Sequence, residues 1–526
     1  MTSLPTRWTL FFVVLIVMAS DEGSAQSRTR AHSDPVQKEK PAILTPPAPR
    51  GARINGPKTY GVRPGSPFLY RIPATGRRPM KFTAKGLPEG LSLDGAAGII
   101  TGRIADRNPR TYTVVLVAEN PLGKSEREFR IVVGETLSLA PQMGWNDWYT
   151  HYDRITDPIM RQAADLMISS GLADYGYQFV NIDDCWMNAE KSRDPRRNGP
   201  FRDAAGNLRP NSYFPDMKAL TDYIHSKGLK AGAYTSPGPT TCAGYAGSYQ
   251  HEEQDARQFA AWGFDFLKYD WCSYTSVAGA KDLEALQRPY RLLAGILKRL
   301  DRDIVFNLCQ YGMGEVWKWG AEVGGNSWRT TGDLGLEGST KLPGFYKIGL
   351  SNARHWEYAG PGHWNDPDYI LMSYYGNAKV MGEAQKANLT ADECYSYFSL
   401  WSLMAAPLFF GGDMARLDDF TVNVLCNSEV IEIDQDALGK QGRILRQTPD
   451  EFVLVKQLED GAAAVGLFNL SETSRNMEIS WTDLGFQGTC RVRDVWRQRD
   501  FKPARARFAV DVPRHGVSVL KVSPVR

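Results

Sequence analysis

This 526-residue chain is short of cysteine, of clustered histidine and of net charge, and each shortage removes a class of protein. Seven cysteines over such a length are too few for a disulfide scaffold, and the odd count leaves at least one thiol unpaired or intermolecular. The seven histidines are scattered, with no H-x-H and no H-E-x-x-H, so no metal and no other cofactor is expected. A net charge of +3 from 62 basic and 59 acidic residues carries no footprint for nucleic acid. No G-x-S-x-G elbow, Gly-rich dinucleotide loop or phosphate cradle occurs. Beyond the N-terminus no apolar run would cross a bilayer, so no membrane partner is expected for the mature chain.

What is present divides into five segments. Arg7, an apolar run at 8–19 and the small residues Gly23-Ser24-Ala25 read as a cleavable signal peptide over 1–25, which implies a secreted or periplasmic protein. Residues 26–50 are polar and proline-rich, the composition of a flexible linker. Residues 51–135 carry short alternating runs between turn signals, the pattern of a small β-sandwich. The stretch GLPEGLSLDGAAGIITG (86–102) resembles immunoglobulin-like modules attached to many secreted bacterial proteins. A spacer or docking role is expected of it, with its removal leaving the chemistry intact. Over 139–436 strand-like runs at 143–147, 177–184, 230–235, 264–270, 304–309, 327–331, 363–370 and 407–411 alternate with amphipathic stretches such as 157–170, 216–227, 252–262, 289–300 and 390–405. Strands alternating with helices to a count of eight predict a (β/α)8 TIM barrel rather than an open doubly wound sheet. From 440 to 526 the texture turns to short β runs, a C-terminal antiparallel sandwich.

In such a barrel the carboxyl ends of the strands face the active site. Those ends hold Asn146, Asp147 and Trp148; Asp183 and Asp184; Tyr234; Lys268 and Asp270; Cys309 and Gln310; Arg329 and Asp333; Asp366 and Asp368. Lys268 and Asp270 share one strand face, and a cation there favours the ionised carboxylate. The same pair is also compatible with a plain strand-end ion pair. A lone Asp at a strand end is usually a helix cap, but carboxylates on four strands with Lys and Arg among them exceed what caps require. With serine, metal and phosphoryl chemistry lacking their motifs, paired carboxylates point to glycoside hydrolysis.

Five motifs carry a more specific resemblance: Pro141-Gln142-Met143-Gly144-Trp145-Asn146, Asn181-Ile182-Asp183-Asp184-Cys185-Trp186, Lys268-Tyr269-Asp270-Trp271-Cys272, Trp328-Arg329-x-x-x-Asp333 and Trp364-Asn365-Asp366-Pro367-Asp368. In order and spacing they resemble the family 27 glycoside hydrolases, the α-galactosidases and α-N-acetylgalactosaminidases, from about residue 139 to the C-terminus. The resemblance implies that Asp270 is the nucleophile and Asp333 the general acid/base of a retaining exo-glycosidase. It implies substrate contacts from Trp148, Asp183, Asp184, Tyr234, Lys268, Gln310, Arg329 and Asp368, and a disulfide between Cys242 and Cys272. Cys185 and Cys309 match cysteines bridged in some relatives, yet no partner stands where theirs would lie.

Two departures bear on specificity. Gln310 stands where many α-galactosidases carry Glu, and with Met313 it is too large for an N-acetyl group. Tyr369 replaces a frequent apolar residue and is expected on the leaving-group side. Asp184 is not enlarged as in members acting on β-L-arabinopyranosides, which favours galactose. The implied partner is a galactose-containing oligo- or polysaccharide, and a homo-oligomer is compatible with the sequence.

Overall fold

The computed structural model describes residues 42–280, 282–334, 342–376 and 382–525. The expected signal peptide and most of the expected linker lie outside these residues.

Eight parallel strands form the central sheet: β1 (Met143–Asn146), β2 (Phe179–Asn181), β3 (Lys230–Thr235), β4 (Phe266–Asp270), β5 (Val305–Cys309), β6 (Ser327–Arg329), β7 (Trp364–Asp366) and β8 (Leu408–Phe410). Neighbours pair in sequence order, β8 returns to β1 through Met143–Leu408, and a parallel bridge between Ile370 and Phe410 joins β7 to β8. The barrel is therefore closed and has no free edge. Close approach of β2 and β3 depends on Gly232, where a Cβ would lie 1.9 Å from Asn181 Oδ1.

The helices follow local sequence signals. The first three are α1 (Asp157–Ser169), α2 (Met217–Ser226) and α3 (Glu252–Trp262). Glu252, Glu253 and Asp255 place negative charge on the first turn of α3, and Gly263 ends it in the left-handed region. The next helix, α4 (Leu283–Leu297), starts earlier than the expected 289, because Asp282 caps it through Ala285 N–H and Pro289 sits inside it. Proline at that position removes one helical hydrogen bond without ending a helix held by its buried face, of which Pro289 is part. The fifth connection departs from the strand–helix alternation: β5 is followed only by a 3₁₀ turn, Val316–Lys318. Further on come α5 (Gly344–Asn352), α6 (Ala391–Leu403), α7 (Asp419–Leu425) and α8 (Ser428–Asp434). Thr390 and Glu393 form a reciprocal capping box on α6.

The C-terminal sandwich sets a sheet of Arg443–Gln447, Glu451–Gln457, Ala463–Asn469, Val517–Pro524, Thr489–Asp494 and Arg499–Asp500 against the pair Arg475–Ser480 and Arg507–Val512. Its Phe452, Phe468 and Trp496 belong to the same apolar cluster as the barrel, so the two units share a core.

The N-terminal sandwich packs a four-stranded sheet on a three-stranded one around Phe68, Tyr70, Phe82, Ile100, Phe129 and Ile131. It is not loosely tethered. Arg63 is buried at the carboxyl end of α4: its Nη1 donates to the carbonyls of Leu297 (3.1 Å) and Lys298 (2.7 Å), and Nη2 to that of Leu300 (3.1 Å). Its Nε reaches Asp303 Oδ1 at 2.6 Å. Arg130 and Lys58 meet Glu459 of the C-terminal sandwich at 2.6 and 3.1 Å. Residues 42–50 also differ from a flexible linker. Leu44 N–H donates to Tyr395 Oη at 3.0 Å, and Thr45 is buried between Asn423 and Asn427. Proline-rich composition favours an extended chain, and here residues 42–45 of that chain are held to α6 and α7 by hydrogen bonds between their backbone and the Tyr395 and Asn423 side chains.

Arg63→Ala strands Asp303 and the last α4 carbonyls, so a loss on the order of 3 kcal/mol is expected. It should be visible as a lower melting temperature and faster amide exchange over 297–303. An unchanged melting temperature would show the module to be a passenger.

Candidate active site

The site lies at the carboxyl end of the barrel strands, and burial dominates its electrostatics. Asp270, the last residue of β4, is 6% exposed. Its two oxygens are each held by a phenol: Tyr234 Oη donates to Oδ2 at 3.2 Å, and Tyr311 Oη donates to Oδ1. Desolvation pushes the Asp270 carboxyl up to about 6; the Lys268 charge and the Tyr311 hydrogen bond oppose the rise, while the Asp333 and Asp183 charges add to it. The sequence expectation that Lys268 would set the protonation of Asp270 thus needs correction. Lys268 does lower the Asp270 value, but burial outweighs it, and the direct partner of its Nζ is Asp183 Oδ2 at 2.9 Å.

Asp183 and Asp184 follow β2, which stops at Asn181, short of the predicted 184. Strand alternation therefore does not separate them, and both charges act on Tyr234. Asp183 Oδ2 accepts from Asn146 Nδ2 (2.9 Å), Lys268 Nζ (2.9 Å) and Tyr369 Oη (3.3 Å). Asp184 is fixed by the backbone N–H groups of Cys185 (2.7 Å) and Ala243 (2.9 Å), and burial drives its carboxyl up to about 7. Residue 243 follows Cys242, whose disulfide to Cys272 has its Cα atoms 4.9 Å apart. That bridge ties the loop behind Asp184 to the loop after Asp270. An Asp270 oxygen lies within 4.8 Å of its sulfurs, which as a disulfide offer no thiolate to a metal. The other five cysteines, Cys185 and Cys309 included, are buried free thiols.

Arg329 organises the opposite wall. Its Nη2 meets Asp368 Oδ2 at 3.0 Å and Asp333 Oδ1 at 3.2 Å, and donates to the Gly332 carbonyl at 2.8 Å. Asp368, buried with a left-handed φ of 80°, also accepts from Tyr149 Oη (2.7 Å) and Leu334 N–H (2.8 Å). With Tyr369 N–H donating to Oδ1 at 2.9 Å as well, the fourfold hold on this side chain explains how its strained backbone persists. The Asp333 side chain is 61% exposed, unlike the other acids of the site. Gln310 is fully buried: Nε2 donates to the Met313 carbonyl at 2.8 Å, and Oε1 has no protein hydrogen-bond partner. Trp148 is half-buried with its ring 4.8 Å from Tyr152, and its backbone N–H is held by Asn146, which also holds Asp183.

The structure thus draws Trp148, Asp183, Asp184, Tyr234, Lys268, Asp270, Gln310, Arg329, Asp333 and Asp368 into one connected neighbourhood. Tyr369 Oη donates to Asp183 Oδ2 at 3.3 Å, with the Lys268 ammonium 5.3 Å from its ring. Tyr149 and Tyr311 were not singled out by the sequence. Each follows a strand closely, but only folding shows which carboxylate its hydroxyl meets.

A family model described as alpha galactosidase A matches residues 140–436, one described as the alpha galactosidase C-terminal beta sandwich domain matches 451–522, and an Ig-domain model matches 52–134. An alpha-galactosidase of Cyamopsis tetragonoloba is 36% identical over 400 residues, covering 75% of this chain and 89% of that one. A Bacteroides fragilis structure assigned as an alpha-galactosidase/melibiase superposes with a TM-score of 0.82 at 35% identity, over 91% of this chain and 99% of that chain. A β-L-arabinopyranosidase of Geobacillus stearothermophilus shares the fold at 23% identity, with a TM-score of 0.64 over 74% of this chain and 97% of its own. A barrel matched along its whole length, at an identity above a third to a curated relative, leaves one conclusion: the chain belongs to the alpha-galactosidase (melibiase) family of glycoside hydrolases.

Proposed function

We propose that the protein is a secreted retaining exo-glycosidase that releases terminal non-reducing α-D-galactosyl residues from oligo- or polysaccharides. The observation that carries this reading is the contrast between the two central acids: Asp270 is buried and gripped at both oxygens, while Asp333 stands exposed at the mouth. A nucleophile needs fixed direction, and a general acid must reach a leaving group that projects toward solvent. Asp270 attacks the anomeric carbon as Asp333 protonates the departing oxygen; Asp333 then takes a proton from water, which hydrolyses the glycosyl–Asp270 ester.

The remaining walls fit a hexose with an axial 4-hydroxyl. Asp183 and Asp184 accept from the C4 and C6 hydroxyls, Lys268 pairs with Asp183 at 2.9 Å, and Trp148 gives an apolar wall. The unpartnered Oε1 of Gln310 offers an acceptor to the C2 hydroxyl, so the amide serves without the charge of a glutamate. Arg329 and Asp368 complete the wall on the Asp333 side. Supporting an exported protein are the 1–25 segment and the Cys242–Cys272 bridge, which suits an oxidising compartment.

Nitrophenyl α-galactoside, β-L-arabinopyranoside and α-N-acetylgalactosaminide assayed side by side test the reading. The galactoside is expected to lead in kcat/KM, and preference for either other substrate would overturn the hexose assignment. The acid limb of kcat/KM is expected near pH 6. Asp270 must be ionised to attack, so activity falls as pH drops below about 6. A limb near the ordinary carboxylate value of about 4 would show that burial does not govern this group.

A further inference from the structure

Both oxygens of the Asp270 carboxylate are engaged by phenols, yet one must be free to bond carbon. The two phenols differ in their freedom. Tyr234 belongs to β3, is fully buried, and has the Lys268 ammonium 5.3 Å from its ring centre. Its bond to Oδ2 is the longer, at 3.2 Å, and its hydroxyl also lies 3.4 Å from Cys272 Sγ, so a second partner already stands beside it. Tyr311 follows β5 in a left-handed conformation (φ 65°), between Gln310 and Gly312, with its hydroxyl 3.7 Å from Cys242 Sγ. Its short contact to Oδ1 is the firmer of the two.

We propose that Tyr311 is a positioning residue for the nucleophile: it keeps Oδ1 of Asp270, leaves Oδ2 to attack, and assists the return of the carboxylate when the glycosyl ester breaks. The proposal rests on Asp270 being the nucleophile, as above. In the first step an electron pair of Oδ2 forms the bond to the anomeric carbon while the aglycone leaves with the proton of Asp333. Oδ1 then becomes the ester carbonyl, a weaker acceptor. In the second step water bonds to that carbon, its proton passes to Asp333, and the carbon–Oδ2 pair returns to Asp270. Negative charge reappears on Oδ1 as this happens, where the Tyr311 hydroxyl already donates. Its proton is not transferred: burial and the neighbouring Asp270 and Cys309 charges push the Tyr311 phenol far above its ordinary value. A donor whose bond strengthens as charge develops lowers that barrier more than it stabilises the ester.

Tyr311→Phe retains ring and volume and removes only this donor. The second step should slow about tenfold. With nitrophenyl α-galactoside, kcat and KM should fall together, a pre-steady-state burst of nitrophenol should appear, and azide should raise kcat by capturing the accumulated ester. The acid limb of kcat/KM should move up by roughly one pH unit, since the lost hydrogen bond had favoured the ionised Asp270. A merely structural phenol would move none of these. An unmoved acid limb with no burst and no azide effect would overturn the proposal in a variant whose melting temperature matches the parent. Should the variant melt early, azide acceleration and burst amplitude per active site still decide, because neither depends on the folded fraction. If instead Asp270→Ala retains turnover, the nucleophile assignment fails first, and the two failures are distinguished.

Discussion

Asp270→Ala is expected to lower kcat/KM on nitrophenyl α-galactoside by at least about 10⁴-fold, with the protein still folded. On the proposed mechanism the Asp270 carboxylate bonds the anomeric carbon, and its removal leaves a void walled by Tyr234 and Tyr311. A small anion can enter the void. Azide should restore part of the turnover and yield β-galactosyl azide, since a single displacement inverts the α-linkage. Substantial hydrolysis by the variant without azide would remove Asp270 from the centre of the reaction.

Asp333→Ala should behave oppositely with respect to the leaving group. Oligosaccharide α-galactosides depart as poor alkoxides and need the proton, so their kcat/KM should fall about 10²- to 10⁴-fold. Nitrophenolate needs none, and its release should survive as a burst followed by slow hydrolysis. Azide now meets an intact glycosyl ester and gives α-galactosyl azide, the retained product. The acid limb should also shift to lower pH, because the Asp333 charge is one of the influences that raise Asp270. Equal losses on both substrate types, with no azide effect, would argue that Asp333 holds structure rather than transferring protons. The product configurations distinguish the two acids even if the rate losses are similar.

The contrast between these two acids comes from where the chain carries them. Asp270 ends β4, a strand buried on every residue, and cannot avoid desolvation. Asp333 lies four residues past Arg329 with its side chain exposed, and Arg329 Nη2 meets it at 3.2 Å. The pairing of Arg329 with both Asp333 and Asp368 also answers a conflict left open by the motif, where a cation beside a general acid would oppose its protonation. Most of the arginine's charge is committed to buried Asp368, whose side chain is 1% exposed against 61% for Asp333. Water screens the outer pair and leaves the inner one strong.

Two Asn-x-Ser/Thr sequons, Asn388-Leu389-Thr390 and Asn469-Leu470-Ser471, illustrate how fold decides what a short motif can do. Asn469 is fully buried and its amide donates to the carbonyls of Thr473, Val512 and Pro513, so glycosylation would have to break the sandwich. Asn388 is exposed ahead of α6.

Period and motif spacing by themselves determined the closed barrel, the sandwiches on either side of it, and the set of side chains gathered at its mouth. These depend on local order: apolar runs with polar ends make strands, and eight of them with short returns close on themselves. Tertiary structure alone decided the partners. Lys268 and Asp270 share a strand face as their spacing requires, yet the ammonium turns to Asp183 across the barrel. Asp183 and Asp184 escape strand alternation because β2 ends before them. Tyr369 meets Asp183, Tyr311 grips Asp270, and residues 42–45 are held against α6 and α7 instead of forming part of a tether. Each outcome is a contact between residues far apart in the chain, and its strength is set by exclusion of water, a property of the packed whole that no stretch of sequence carries.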